Sequence, residues 1–121
     1  MKLLNSQAYM IPSLQSEGRD MIKNVRIENI LSVIADEFSI KVQDLKSKSR
    51  KHVVVLPRQV VEYVFVRKMK YKLIDAGNVL GLNRDHSTVL HSIKTINNFC
   101  DTQPDFKERL KALMKKLKRY E

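Results

Sequence analysis

The chain is poor in the residues that would tie it to several large classes of protein. Only one of its 121 residues is cysteine, Cys100. No intrachain disulfide can form, and no structural zinc cluster of cysteines can be built. The three glycines, Gly18, Gly77 and Gly81, are too few for a phosphate cradle, and no Walker-type GxxxxGK segment is present. No apolar run approaches the length of a membrane span. The opening MKLLNSQ turns polar too early for a signal peptide. A cytoplasmic location is therefore expected, with no membrane partner. Met1 at the start suits a complete small protein, and a piece cut from a longer chain could begin the same way.

Groupings that carry catalysis are missing too. His86 and His91 are five residues apart, about 140° around a helix, so they cannot hold one metal on one face. Asp36 and Glu37 are adjacent and would splay apart on a helix rather than work as an acid–base pair. No enzyme activity, cofactor, metal or nucleotide is expected.

Basic charge is abundant. The net charge is +10, with 43% hydrophobic and 30% charged residues, which suits one soluble domain with a polyanionic partner. Residues 46–70 hold Lys46, Lys48, Arg50, Lys51, Arg58, Arg67, Lys68 and Lys70 against Glu62 alone, a net +7. Residues 104–121 hold seven basic residues against Asp105, Glu108 and Glu121, a net +4. The positive field is thus focused in two places.

From Asn24 the pattern is all helical. Residues 1–23 read as a tail or linker, with a short apolar knot at Tyr9, Met10 and Ile11. Asn24 is a candidate cap for a first helix carrying Ile27, Ile30, Leu31, Ile34 and Phe38 at helical spacing. A short second helix fits Val42–Lys46. The run VVVL at 53–56 reads as an extended approach to a third helix that begins with Pro57 in its first turn. Val60, Val61, Val64, Phe65 and Met69 supply that helix's buried face. Residues 72–80 form a fourth helix, and Gly81 suits a left-handed C-cap. A fifth helix starts near Asp85, with Val89, Ile93, Ile96 and Cys100 on one side, where Cys100 is expected as inert core packing. Pro104 starts a sixth helix carrying Phe106, Leu110, Leu113, Leu117 and Tyr120. Lys107, Lys111, Lys115 and Lys118 line another of its faces, which is either solvated or available to a partner. Two helices joined by a tight turn with Gly81 make a helix-turn-helix pattern within residues 24–121.

The segment NRDHSTVLH at 83–91 opens the fifth helix with a polar cluster. Two readings stay open on these residues alone: a well-capped surface helix, and a helix whose first turn enters a DNA major groove. In the second, Asp85, His86 and Thr88 can meet base edges. Ser87, His91, Lys94, Thr95 and Asn98 share the exposed face, where His91 and Lys94 are candidate backbone contacts. Arg50, in a flexible basic loop, is a candidate for the minor groove, while Lys46, Lys48, Lys51 and Arg58 would hold phosphates.

The order of motifs resembles the C-terminal DNA-binding domain of the bacterial replication initiator DnaA. RDHSTVLH matches that family's GGRDHTTVLHA signature. DLKSKSRKH at 44–52 is similar to its DLxSxxR segment and basic loop. PRQVVEYV at 57–64 is similar to PRQIAMYL, and LIDAGNVLG at 73–81 to LPEIGxxFG. The likeness covers residues 24–100, and the last helix agrees in character. It implies a six-helix, Trp-repressor-like domain that binds double-stranded DNA at boxes containing A·T pairs. By position it implies base contacts from Asp85, His86, Ser87 and Thr88, minor-groove insertion of Arg50, and backbone contacts from Lys48, Arg58 and Arg84. Gly81-Leu82-Asn83 replaces the usual Gly-Gly with one extra residue, and Ser87 replaces a threonine. No segment of these 121 residues resembles the family's ATPase domain. The expected function is sequence-specific DNA binding in replication initiation or its regulation. The alternatives are a transcription repressor, or an interaction module that binds replication proteins through the N-terminal tail or the last helix.

Overall fold

The computed structural model describes residues 13–121, with side chains from residue 24 onward. The apolar knot expected at Tyr9–Ile11 lies outside the described residues. Six α-helices follow one another: α1 Ser13–Glu37, α2 Val42–Leu45, α3 His52–Arg67, α4 Leu73–Asn78, α5 His86–Thr102 and α6 Pro104–Lys116. A 3-10 turn at Leu117–Tyr120 closes the chain. The described residues form no strand, as an all-α fold requires.

The apolar stripes read from the sequence become the core. Ile30, Leu31 and Ile34 of α1 meet Val60, Val61, Val64 and Phe65 of α3 and Val89, Ile93 and Ile96 of α5, all buried. Ala35, Leu45, Ala76, Leu80, Leu110, Leu113 and Leu117 complete it. Phe65 lies against Tyr71 edge to face, with ring centroids 5.0 Å apart. At the outer rim Arg109 stacks 4.4 Å above the Phe38 ring and donates its Nε–H to Glu37 at 2.8 Å. Lys116 adds a second cation on Glu37. The Arg109 hydrogen bond before all else holds the Glu37 carboxyl below its ordinary pKa, burial opposes it, and Lys116 adds a weaker pull in the same direction as Arg109. This clasp joins α1 to α6.

Two expected boundaries differ. The first helix begins at Ser13, so residues 13–23, expected as tail, are helical and Asn24 is interior rather than a cap. Leu, Gln, Glu, Arg, Met and Lys in 13–23 are good helix formers. Extending a helix already nucleated by its packed half costs little, even across Gly18. The third helix begins at His52, so VVVL is helical and Pro57 is the sixth residue, not the first-turn residue. Packing overrides the β-branched preference, because Val54 is buried. Pro57 leaves the carbonyl of Val53 without its helical donor. Val53 is 64% exposed, so water can serve that carbonyl.

Candidate nucleic-acid interface

The start of α5 is set by Asp85. Its backbone is extended and its Oδ1 accepts the Thr88 N–H at 2.9 Å. That backbone N–H, then the Thr88 hydroxyl, hold the Asp85 carboxyl below its ordinary pKa. Of the two roles the sequence leaves open for Asp85, the structure displays capping. His86, Ser87, His91 and Lys94 are exposed, and Thr88 is half-buried beside the cap. Leu90, 41% exposed, adds an apolar spot to the same outer surface.

The turn before α5 absorbs its additional residue through two left-handed positions, Gly81 at φ 73° and Asn83 at φ 53°. Asparagine is among the few residues other than glycine that visit this region readily. The Arg84 N–H then donates back to the Gly77 carbonyl at 3.1 Å. This closes the α4–turn–α5 unit.

Arg84 turns inward. Its Nε and Nη2 both donate to the carboxylate of Glu62 on α3, the latter at 3.3 Å. Glu62 is buried, and its Oε1 also accepts the Ser92 hydroxyl of α5 at 2.6 Å. Ser92 lies 3.2 Å from the Thr88 carbonyl as well. A hydroxyl has one proton, and the nearer, charged carboxylate is the better acceptor. Neither Glu62 nor Ser92 stood out in the sequence. The available signal is where they depart from the motifs quoted above: Glu62 stands at the methionine of PRQIAMYL, and Ser92 at the final alanine of RDHTTVLHA.

The basic loop is held by its own serines. Ser47 Oγ donates to the Asp44 carbonyl at 2.7 Å and accepts the Ser49 N–H, while Ser49 Oγ accepts the Lys51 N–H at 3.2 Å. The half-buried serines alternate with exposed Lys48 and Arg50. Behind them lies Arg58, only 5% exposed. It donates to the carbonyls of Leu45 at 3.2 Å, Ser49 at 3.1 Å and Ser47. Burial, then the nearby Arg84 charge, lower its pKa against the opposing pull of Glu62.

The cations expected from sequence as phosphate contacts differ in their surroundings. Arg58 is spent on the loop's own carbonyls, and Arg84 is held by Glu62. Lys46 is ion-paired to Glu28 from α1. Lys48, Arg50, Lys51, His86, Ser87, His91 and Lys94 are exposed, and their side chains have no hydrogen-bond or ion-pair partner among the described residues. Arg58 and Glu62 are four residues apart on α3, so they share one face. One turn of α3 thus pins the basic loop through Arg58 and the start of α5 through Glu62. That turn brings the two regions expected to meet DNA to one side of the molecule.

Cys100 is half-buried rather than in the core. It borders a shallow groove with Tyr63, Leu110 and Met114, where Lys107, Lys111 and Lys115 also lie. Burial raises its thiol pKa. The α5 stripe runs past the tightly packed centre at this end, so position on the stripe did not ensure full burial.

The short α4, the tight turn and the exposed polar start of α5 define a helix-turn-helix protein. Comparison with known proteins gives its kind. The family model for the bacterial dnaA protein helix-turn-helix matches residues 27–96, more than half of the chain, and the chain belongs to that family. It is 36% identical over 99 residues to the chromosomal replication initiator protein DnaA of Flavobacterium psychrophilum, covering 82% of this chain and 20% of that protein. It is 39% identical over 97 residues to the Wolbachia (Brugia malayi) protein of the same name, covering 79% and 21%. For that of Geobacter metallireducens the values are 36% over 98 residues, 81% and 22%. The chain thus spans about a fifth of the length of these relatives. Membership brings with it DNA binding through the helix-turn-helix.

Proposed function

We propose that this chain reads a specific duplex DNA site of the kind its relatives use, in replication initiation or its regulation. The observation that carries the reading is the single turn of α3 that holds the basic loop and the start of α5 together. On that surface His86 and Ser87 meet base edges in the major groove, with the Thr88 methyl beside them. Asp85 caps the helix with Oδ1, and its exposed carboxylate also accepts from a base amino group. Arg50 enters the adjacent minor groove. Lys48, Lys51, His91 and Lys94 hold the backbone. No catalysis, cofactor or nucleotide belongs to this reading.

Salt dependence gives it a magnitude. With Lys48, Arg50, Lys51 and Lys94 as the free cations, about four counterions are released. Affinity then falls roughly 150-fold between about 50 and 200 mM salt. Counting Arg58 and Arg84 as well would raise the loss to roughly a thousandfold or more. Selection from random duplex DNA, followed by salt titration on the enriched site, measures both the motif and the slope. No duplex binding at low salt would remove the reading.

Two substitutions separate reading from holding. His86→Ala costs about 1–3 kcal/mol on the enriched site and little on random duplex. Equal losses on both would show that His86 reads no base. Lys51→Ala weakens all sequences alike and lowers the salt slope by about one. A changed sequence preference instead would contradict its backbone role.

A further inference from the structure

Glu62 is the only acidic residue in the most basic stretch of the chain, and it is 1% exposed. A buried carboxylate needs a cation and hydrogen bonds to remain charged. It takes both from the segment that begins the DNA-facing helix: Arg84, one residue before the Asp85 cap, and Ser92, deeper in α5. Arg84 keeps 23% of its side chain exposed, so the pair reaches the surface at the mouth of the candidate interface.

We propose that Glu62 is a specificity-setting positioning residue, withholding the Arg84 charge from the DNA backbone while orienting the start of α5. The proposal rests on the DNA-reading function above. A phosphate contact from an arginine is independent of sequence, and its counterion release strengthens random and specific binding alike. Arg84 paired to Glu62 is locally neutral, so it adds almost nothing to that release. Pulling it onto a phosphate would strand the Glu62 charge in the interior. The same two bonds, with the Ser92 hydroxyl as a third, tie α5 to α3 and hold His86 and Ser87 in register. The methionine and alanine of the quoted motifs offer no such acceptor. Here both motif positions are polar, and they hydrogen-bond each other at 2.6 Å.

The test compares the unmodified protein with Glu62→Gln, Arg84→Gln and the double variant. Each is titrated with salt on random duplex and on the enriched site. Glutamine keeps the shape, removes the charge and leaves one acceptor oxygen, with an NH2 donor in place of the other. Glu62→Gln is expected to steepen the slope on random duplex by about 0.9, tighten that binding several-fold and lower the ratio of specific to random affinity. Arg84→Gln alone leaves the slope unchanged, and the double variant returns to the parent slope. Should Glu62→Gln fail to fold by circular dichroism, the pair Glu62→Met with Ser92→Ala, which restores the motif residues, carries the same expectation. An unchanged slope in the folded Glu62 variant overturns the proposal, as does a slope lowered by about one in Arg84→Gln. Either result leaves the DNA-reading function standing if the unmodified protein binds its site. No duplex binding by the unmodified protein defeats both.

Discussion

Arg58→Ala is expected to lower stability by about 3 kcal/mol without removing a phosphate contact. Its guanidinium donates to three backbone carbonyls, those of Leu45, Ser47 and Ser49. A hydrogen bond from a charged group contributes about 1.5–3 kcal/mol. The loop carbonyls can recover some water once the side chain is gone, so the total falls below the sum of three. For a domain of this size the melting temperature drops by roughly 10 °C, measurable by calorimetry or circular dichroism. Arg58→Lys recovers little, because an ammonium cannot span three carbonyls as a planar fork does. Affinity for the enriched site falls as Lys48 and Arg50 lose their register, while the salt slope on random duplex stays within experimental error. A phosphate-contacting Arg58 would behave in the opposite way, with unchanged melting and a slope lower by about one. The two outcomes leave no overlap.

Gly77→Ala produces an effect of similar size for a steric reason. A Cβ on Gly77 would lie 2.1 Å from the Arg84 carbonyl oxygen, 3.1 Å from its carbon and 3.3 Å from Val89 Cγ2. The nearest atoms are backbone, so no side chain can swing aside. Either α4 or the Arg84 segment must move, which strains the Arg84 N–H bond to Gly77 and the grip of Glu62 on Arg84. Overpacking of this kind costs about 1–3 kcal/mol, and a lost hydrogen bond about 1 more. The better helix propensity of alanine returns about 1 kcal/mol. The net expectation is a loss of about 1–3 kcal/mol, with specific DNA binding reduced more than random binding. Gly81→Ala is the comparison. Nothing lies within 4 Å of its would-be Cβ, so only the left-handed φ of 73° is penalised, at about 1–2 kcal/mol. Denaturant titrations of the two variants rank them. A greater loss at Gly81 would show that the turn conformation matters more than the close approach.

That contrast marks the reach of local reading. Gly81 is recognisable because a glycine after a helical run is a common C-cap. Two other left-handed positions after helices, Ser39 and Lys70, carry no glycine. The Ile40 N–H returns to Ala35 and the Tyr71 N–H to Phe65, so hydrogen bonds stabilise conformations the side chains do not advertise. Gly77 sits inside a helix, where its need for space depends on Arg84, seven residues away in sequence and in contact only after the turn forms. Pro57 misled for a related reason. Its tolerance deep in α3 depends on the exposure of Val53, which the sequence does not state.

The six helices, the helix-turn-helix spacing, the basic loop and the polar opening of α5 are legible in the amino-acid order alone. These follow from side-chain periodicity and cap chemistry within a few residues of chain. Which charges remain outside is set by packing. Lys48, Arg50 and Lys51 do, whereas Arg58 and Arg84 are turned inward by loop carbonyls and by Glu62. A charged side chain's role depends on the partners that packing brings within about 3 Å. Those partners come from α2, the basic loop and α3, which meet the two arginines only when the core closes.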